Sequence, residues 1–268
     1  MATSRQQGVA PDYAWGSSAQ PESGSGARRL SSVVLAELAL VLGLFVAYEL
    51  VRWLAIDDVS TAFANARRIV EWERSAGIFI EHSVQSSLMQ VDQLSHFLAA
   101  YYVWALYPLM IALAVLTFVM NRDLYRWARR AIFLSWGIAL AGYMFFPVAP
   151  PRFLWEQGFV DVVHGESSGL PFWVNSYAAM PSMHEGFAII FGITLYRLLT
   201  PWLGFSVALA LPALMFFSIV GTANHFVLDA VAGTAVAVLG MVTASLMPRL
   251  MERLARRRRH FRERTTVS

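Results

Sequence analysis

Long apolar runs separated by short polar intervals set the pattern of this chain. They occupy 33–56, 94–120, 127–146, 181–199, 203–220 and 225–247. Each is close to the ~20 residues a helix needs to cross the hydrocarbon core of a bilayer. Lipid offers no partner for backbone N–H and C=O groups, so each run is expected to be a helix that satisfies its own. The stretch 60–74 differs. Phe63, Ala66, Ile69, Val70 and Trp72 fall roughly on one side of a helix, with arginines and glutamates elsewhere. That spacing predicts an amphipathic helix lying at the interface, within a mixed segment 60–90. A loop is expected from 147 to about 179, opening with Pro147-Val148-Ala149-Pro150-Pro151-Arg152. The expected fold is all-α, a polytopic membrane protein built as a six-transmembrane-helix bundle. Residues 1–30 read as a disordered cytoplasmic tail, 31–248 as one six-span catalytic domain, and 249–268 as a basic cytoplasmic tail.

Composition strengthens the membrane reading. The 268 residues are 57% hydrophobic, and mean hydropathy is +0.49, more apolar than a soluble domain of this size requires. There is no cysteine, which removes disulfides and thiolate metal sites. All 21 basic side chains are arginine. Any side-chain cation holding an anion must therefore be arginine or protonated histidine, and the guanidinium fork suits phosphate oxygens.

Arginine placement orients the spans. Arg28 and Arg29, then Arg122, Arg126, Arg129 and Arg130, then Arg197, then Arg249, Arg253 and the run 256–259 all fall on one side of a six-span chain. That side is expected to be cytoplasmic, with both termini inside, in a multi-pass plasma (inner) membrane protein. The run 256–259 reads as an anchor against anionic lipid. No nucleic-acid partner is expected, and no oligomeric state follows from the sequence.

Candidate chemistry gathers at the other face. Arg152 follows the third span, His184 begins the fourth, and His225 with Asp229 begins the sixth. Ionisable residues in such places are costly in lipid and point to a site. His225 and Asp229 are four apart, a spacing that brings them together on one helix face. A carboxylate on one ring nitrogen fixes the tautomer and leaves the other lone pair for attack on phosphorus. His184 suits a general acid. Pro181 fits a helix's first turn, so the following N–H groups and Ser182 Oγ are expected to face a phosphate, with Arg152 supplying positive charge.

Pro181-Ser182-Met183-His184 resembles the Pro-Ser-x-His signature of the type 2 phosphatidic acid phosphatase (lipid phosphate phosphatase) superfamily. Ser218, His225 and Asp229 fit its signature Ser-Arg-x-x-x-x-x-His-x-x-x-Asp, with Ala232-Gly233 following. The similarity spans roughly 60 to 245. The Pro-Pro-Arg turn, the Asn224-His225-Phe226 step and the ending Leu228 to Gly233 look closest to the inositol-phosphotransferase-like branch, which includes fungal inositol phosphorylceramide synthase. The resemblance implies a six-helix core and a metal-independent enzyme with no cofactor. It implies His225 as phosphohistidine-forming nucleophile, Asp229 as its orienter and His184 as acid. Ser218 and Asn224 join Arg152 and Ser182 as candidate phosphate-binding residues. Ile219 stands where the signature has arginine, and the lysine-containing first signature has no counterpart. Arg152 is the candidate substitute, with Arg67, Arg68 and Arg74 in reserve.

The expected activity is a membrane phosphotransferase on phospholipid headgroups, with a membrane lipid as substrate and inositol or another alcohol as acceptor. A lipid phosphate phosphatase, acting on phosphatidate or a polyprenyl phosphate with water as acceptor, is the alternative. Two non-catalytic readings stand beside these. One is a lipid-binding or lipid-moving relative, motivated by Ile219 and the absent lysine. The other is a haem protein with two histidine ligands, disfavoured because His225 already has an acidic partner.

Overall fold

The computed structural model describes residues 23–54, 59–163 and 177–265. Most of the expected tail 1–30, the end of the first run and the middle of the 147–179 loop lie outside these residues. Nine helices are described: α1 (Ser23–Leu54), α2 (Val59–Ala76), α3 (Glu81–Leu88), α4 (Asp92–Ala100), α5 (Leu106–Met120), α6 (Arg122–Phe145), α7 (Met183–Tyr196), α8 (Pro201–Gly221) and α9 (Val227–Thr265). The described residues contain no strand, only one isolated parallel bridge between Val148 and Ala178. α4 and α5 join through a π-helical turn, Tyr101–Ala105, into one helical stretch.

Six helical stretches stand where six apolar runs were read. Four are long and apolar enough to cross a membrane: Ser32–Leu50, Asp92–Met120, Pro201–Gly221 and Val227–Arg257. The chain is thus an all-α, multi-pass membrane protein. α6 carries arginines through its first turns, and Asn121 caps it by accepting from Leu124 N–H at 3.0 Å. α7 has only 14 residues, about 21 Å at 1.5 Å per residue, against a hydrocarbon core of ~30 Å.

Several expected boundaries shift. α1 begins at Ser23, inside the stretch assigned to the N-terminal tail. α9 continues through the basic segment to Thr265, because Arg, Leu, Met, Glu and Ala are strong helix formers. α7 begins at Met183, not Pro181, since Ser182 is extended at φ −71°, ψ 106°. The face of α2 also differs. Its buried residues are Ala62, Asn65, Ala66, Ile69, Val70 and Glu73, whereas Trp72 is exposed. That stripe follows the i, i+3/i+4 rule more closely than the expected one, and it carries a carboxylate inward.

Within residues 44–268 the buried side chains form two clusters. The larger joins α5 to α9 and contains Trp136, Phe187, Phe191, Met215 and Ile219. The smaller joins α2 to the 147–159 segment and to Ala179, Ala223 and Phe226. Backbone hydrogen bonds lock that second unit: Ala149 N–H donates to Ala62 O at 3.1 Å, Val148 N–H to Tyr177 O at 2.9 Å and Ala179 N–H to Val148 O at 3.2 Å. Asn65 Nδ2 donates to Pro147 O at 2.9 Å. Segments distant in sequence are thereby fixed around the start of α9.

Candidate active site

The turn between α8 and α9 presents His225. The N–H groups of Asn224 and His225 both donate to Ile219 O, at 2.9 and 3.1 Å. Ala223 sits at φ 53°, a left-handed conformation that costs a residue with a Cβ on the order of 1 kcal/mol. His225 lies two residues before α9, so it does not share a helix face with Asp229 as its spacing suggested. Asp229 instead turns back: its Oδ2 accepts from Phe226 N–H at 2.9 Å, the acidic half of a capping box.

The His225 ring is held at Nδ1. Its Nδ1–H donates to Ala179 O at 2.9 Å, and Asp229 Oδ2 lies 3.5 Å away. A carbonyl only accepts, so the hydrogen resides on Nδ1 and the lone pair on Nε2. Nε2 is buried without a hydrogen-bond partner, as are Ser182 Oγ and Asp229 Oδ1. An unmet buried polar atom costs about 1–3 kcal/mol. Buried polar atoms without a protein partner mark candidate positions for binding or catalysis.

His184, second residue of α7, brings its ring centroid to 5.8 Å from that of His225, with the planes inclined at 52°. Tyr102 stands beside both, 4.3 Å from His184 and 6.2 Å from His225. Its side chain is hydrogen-bonded with Arg152. Tyr102 belongs to the π-helical turn, an irregularity common at functional sites.

A family model described as the PAP2 superfamily matches residues 67–243. The chain belongs to the PAP2 superfamily. No curated protein and no solved structure matches the chain. The matched stretch contains His184, His225, Asp229 and Arg152, and the superfamily is one of phosphatases and phosphotransferases.

The remaining expected residues of this PAP2 protein divide into those at the pocket and those spent elsewhere. Arg152 is at the pocket. It lies in a short 3-10 turn, Pro151–Phe153, and its N–H donates to Ala223 O at 2.8 Å. Its guanidinium donates to Asn224 Oδ1 and lies 3.7 Å from Asp161 Oδ2. Asn224 Nδ2 donates to Thr222 Oγ1 at 2.6 Å. Both ends of this amide are thus engaged, and Asn224 orients Arg152.

Ser182 N–H donates to Asp229 O at 2.9 Å, so it is not among the outward-facing donors expected after Pro181. The approach needs glycine on α9. A Cβ on Gly233 would meet Ser182 O at 2.0 Å. Ser218 is not brought to the pocket. Its hydroxyl donates to Leu98 O at 2.7 Å, tying α8 to α4. Ile219, in the position of the signature arginine, is fully buried in the larger apolar cluster, where a guanidinium would have no counter-charge. Of the reserve cations, Arg67 pairs with Glu156 at 3.0 Å and Arg74 donates to Gln157 at 2.8 Å. Arg68 donates to Asn65 at 3.4 Å. Among the described residues no group of three or more histidines and carboxylates is arranged to hold a metal ion.

Sequence reading missed Tyr102, the Ala179 carbonyl and two buried glutamates, Glu73 and Glu81. The glutamates had a visible signal in one case: Glu73 extends the apolar stripe Ala62, Ala66, Ile69 by one more turn.

Proposed function

We propose that this protein is a membrane phosphotransferase that acts on phospholipid headgroups through a phosphohistidine at His225, with inositol or a related alcohol as acceptor. The observation that carries the reading is the His225 ring. Its Nδ1–H is held by Ala179 O at 2.9 Å, its Nε2 is buried and unpartnered, and His184 stands 5.8 Å away.

The reaction runs in two displacements. His225 Nε2 attacks phosphorus, a P–N bond forms, and the P–O bond to the leaving alcohol breaks as His184 delivers a proton to its oxygen. Asp229 stabilises the positive charge that develops on the ring. In the second step the acceptor hydroxyl loses its proton to His184 and attacks phosphorus, and the P–N bond breaks. Arg152, oriented by Asn224 and Tyr102, takes the place of the signature cations on the phosphate oxygens.

A lipid substrate is favoured by an apolar groove of about 370 Å³ between α3, α4 and α8, lined by Val84, Leu88, Leu94, Leu98, Leu214 and Phe217 among others. The arginine distribution favours cytoplasmic termini and a pocket at the outer face of the plasma (inner) membrane.

The test is incubation of detergent-purified protein with phospholipid and labelled inositol, with mass-spectrometric identification of products. A new inositol phosphodiester is expected, absent in His225→Ala and His184→Ala. Release of inorganic phosphate alone selects the lipid phosphate phosphatase. Headgroup exchange or phosphate release that is unchanged in both variants rejects the assignment and leaves a lipid-binding role.

A further inference from the structure

The first turn of α9 leaves backbone donors that its own sequence satisfies only in part. The residue before the helix is Phe226, which has no polar side chain to cap them, and a helix start without acceptors is destabilised. Three carboxylates from three elements meet the need. Phe226 N–H donates to Asp229 Oδ2 at 2.9 Å, Val227 N–H to Glu81 Oε1 at 2.7 Å, and Leu228 N–H to Glu73 Oε1 at 2.7 Å. Glu73 comes from α2 and Glu81 from the start of α3, and both are fully buried. The Glu73 and Glu81 carboxyls lie within hydrogen-bonding reach of each other, and the second oxygen of each, Oε2, is buried with no donor to meet it. Two carboxylates make such a contact only when one carries a hydrogen.

We infer that Glu73 and Glu81 are positioning residues, sharing one proton between their carboxyl groups and together holding the first turn of α9, and with it His225 and Asp229, in register with the pocket. The role rests on the assignment of His225 as nucleophile. The hydrogen bonds of the two glutamates go to Val227 and Leu228 N–H. Each acts through the backbone that carries Asp229 and fixes the turn behind His225.

The protonation has a physical cause. Burial pushes the Glu73 carboxyl up from its usual 4.5 to about 9, reinforced by the hydrogen bond and charge of Glu81 and by the charge of Asp229. The groups acting on it are Glu81 from α3 and Asp229 from α9, and both are negative; Asp229 in turn faces His225. Near pH 9 Glu73 therefore loses that hydrogen, and a further negative charge arises at the start of α9. The sign for stability follows by linkage. The folded chain keeps a proton that the unfolded chain releases above about pH 4.5, so this group's contribution is full below that pH and is lost as pH rises toward 9.

The test compares wild type, Glu73→Gln and Glu73→Leu in detergent. Glutamine keeps an oxygen for Leu228 N–H and offers an N–H to Glu81 in place of the shared proton. Leucine offers neither. Turnover is followed from pH 6 to 10.5, and amide hydrogen exchange of a peptide covering 222–230 is followed by mass spectrometry. Wild-type turnover is expected to fall above pH 9, and Glu73→Gln to lose that fall while retaining turnover within tenfold at pH 7. Glu73→Leu is expected to lose about 100-fold and to exchange faster at Val227 and Leu228. The Gln variant should also flatten the decline of melting temperature between pH 5 and 9. An unaltered alkaline fall in Glu73→Gln overturns the inference even where Glu73→Leu does not fold; so does wild-type exchange in Glu73→Leu. If wild type turns over no lipid phosphate, the reaction assignment fails. Exchange and melting profiles still decide whether the pair holds α9.

Discussion

The closest partner of the His225 ring is a carbonyl, not a carboxylate: Ala179 O lies 2.9 Å from Nδ1, and Asp229 Oδ2 lies 3.5 Å from the same atom. Two roles that one aspartate was expected to fill are thereby separated. The carbonyl fixes tautomer and ring direction, which leaves the carboxylate only the supply of charge in the proposed reaction.

Asp229→Asn separates those roles. Asparagine still accepts from Phe226 N–H, and Ala179 still holds the ring, so folding and substrate KM should change little. Lost charge stabilisation should lower kcat by roughly 10²–10³-fold. Asp229→Ala should lose the cap as well, about 1 kcal/mol more in stability. Steady-state kinetics and thermal unfolding in detergent check both. An Asp229→Asn enzyme with full kcat would remove charge stabilisation from the mechanism.

Arg152 and Asn224 should behave as one unit, because both ends of the Asn224 amide are engaged and one of them is Arg152. Removing a charged hydrogen-bonding group at a phosphate is worth about 1.5–3 kcal/mol. Arg152→Ala should therefore lower kcat/KM by roughly 10- to 100-fold, and Asn224→Ala by less. The double variant should be no worse than Arg152→Ala alone. Additive losses in that double-mutant cycle would show that the two act independently.

Tyr102→Phe removes only the hydroxyl that meets Arg152 and keeps the ring against His184. We expect a loss of about tenfold in kcat/KM with unchanged thermal stability. Tyr102→Ala should lose more, since it also removes the wall beside His184. Equal activity for wild type and both variants would place Tyr102 outside the pocket's work.

Gly233→Ala tests the close approach of α9 to the start of α7. A Cβ there meets Ser182 O at 2.0 Å, which backbone cannot absorb without moving. Overpacking of this kind costs typically 1–3 kcal/mol, and it should also push Ser182 N–H from Asp229 O. A lower melting temperature together with reduced kcat is expected; a variant as stable and active as wild type would contradict the packing.

The apolar runs are local, and so they were legible. A residue's hydropathy and its neighbours suffice to mark a span, because lipid accepts only helices whose backbone bonds close internally. The same holds for His184, His225 and Asp229, which stand at run ends with their signature spacing. Ser218 shows the limit. It fits the signature, yet its hydroxyl serves a helix contact with Leu98, 120 positions away. Glu73 shows the converse. On an amphipathic segment it read as part of a wet face, although it is fully buried against the start of α9.

What this sequence determines by itself is therefore the membrane, the helices and the candidates for the reacting side chains, since each follows from composition or from spacing within one segment. Tertiary structure alone decides what surrounds those side chains: the Ala179 carbonyl on His225, Tyr102 beside both histidines, Asn224 on Arg152 and two glutamates under α9. The reason is physical. Those partners meet across loops and between helices, where a backbone carbonyl has no residue-type signature and a buried carboxylate looks, in one dimension, like an exposed one.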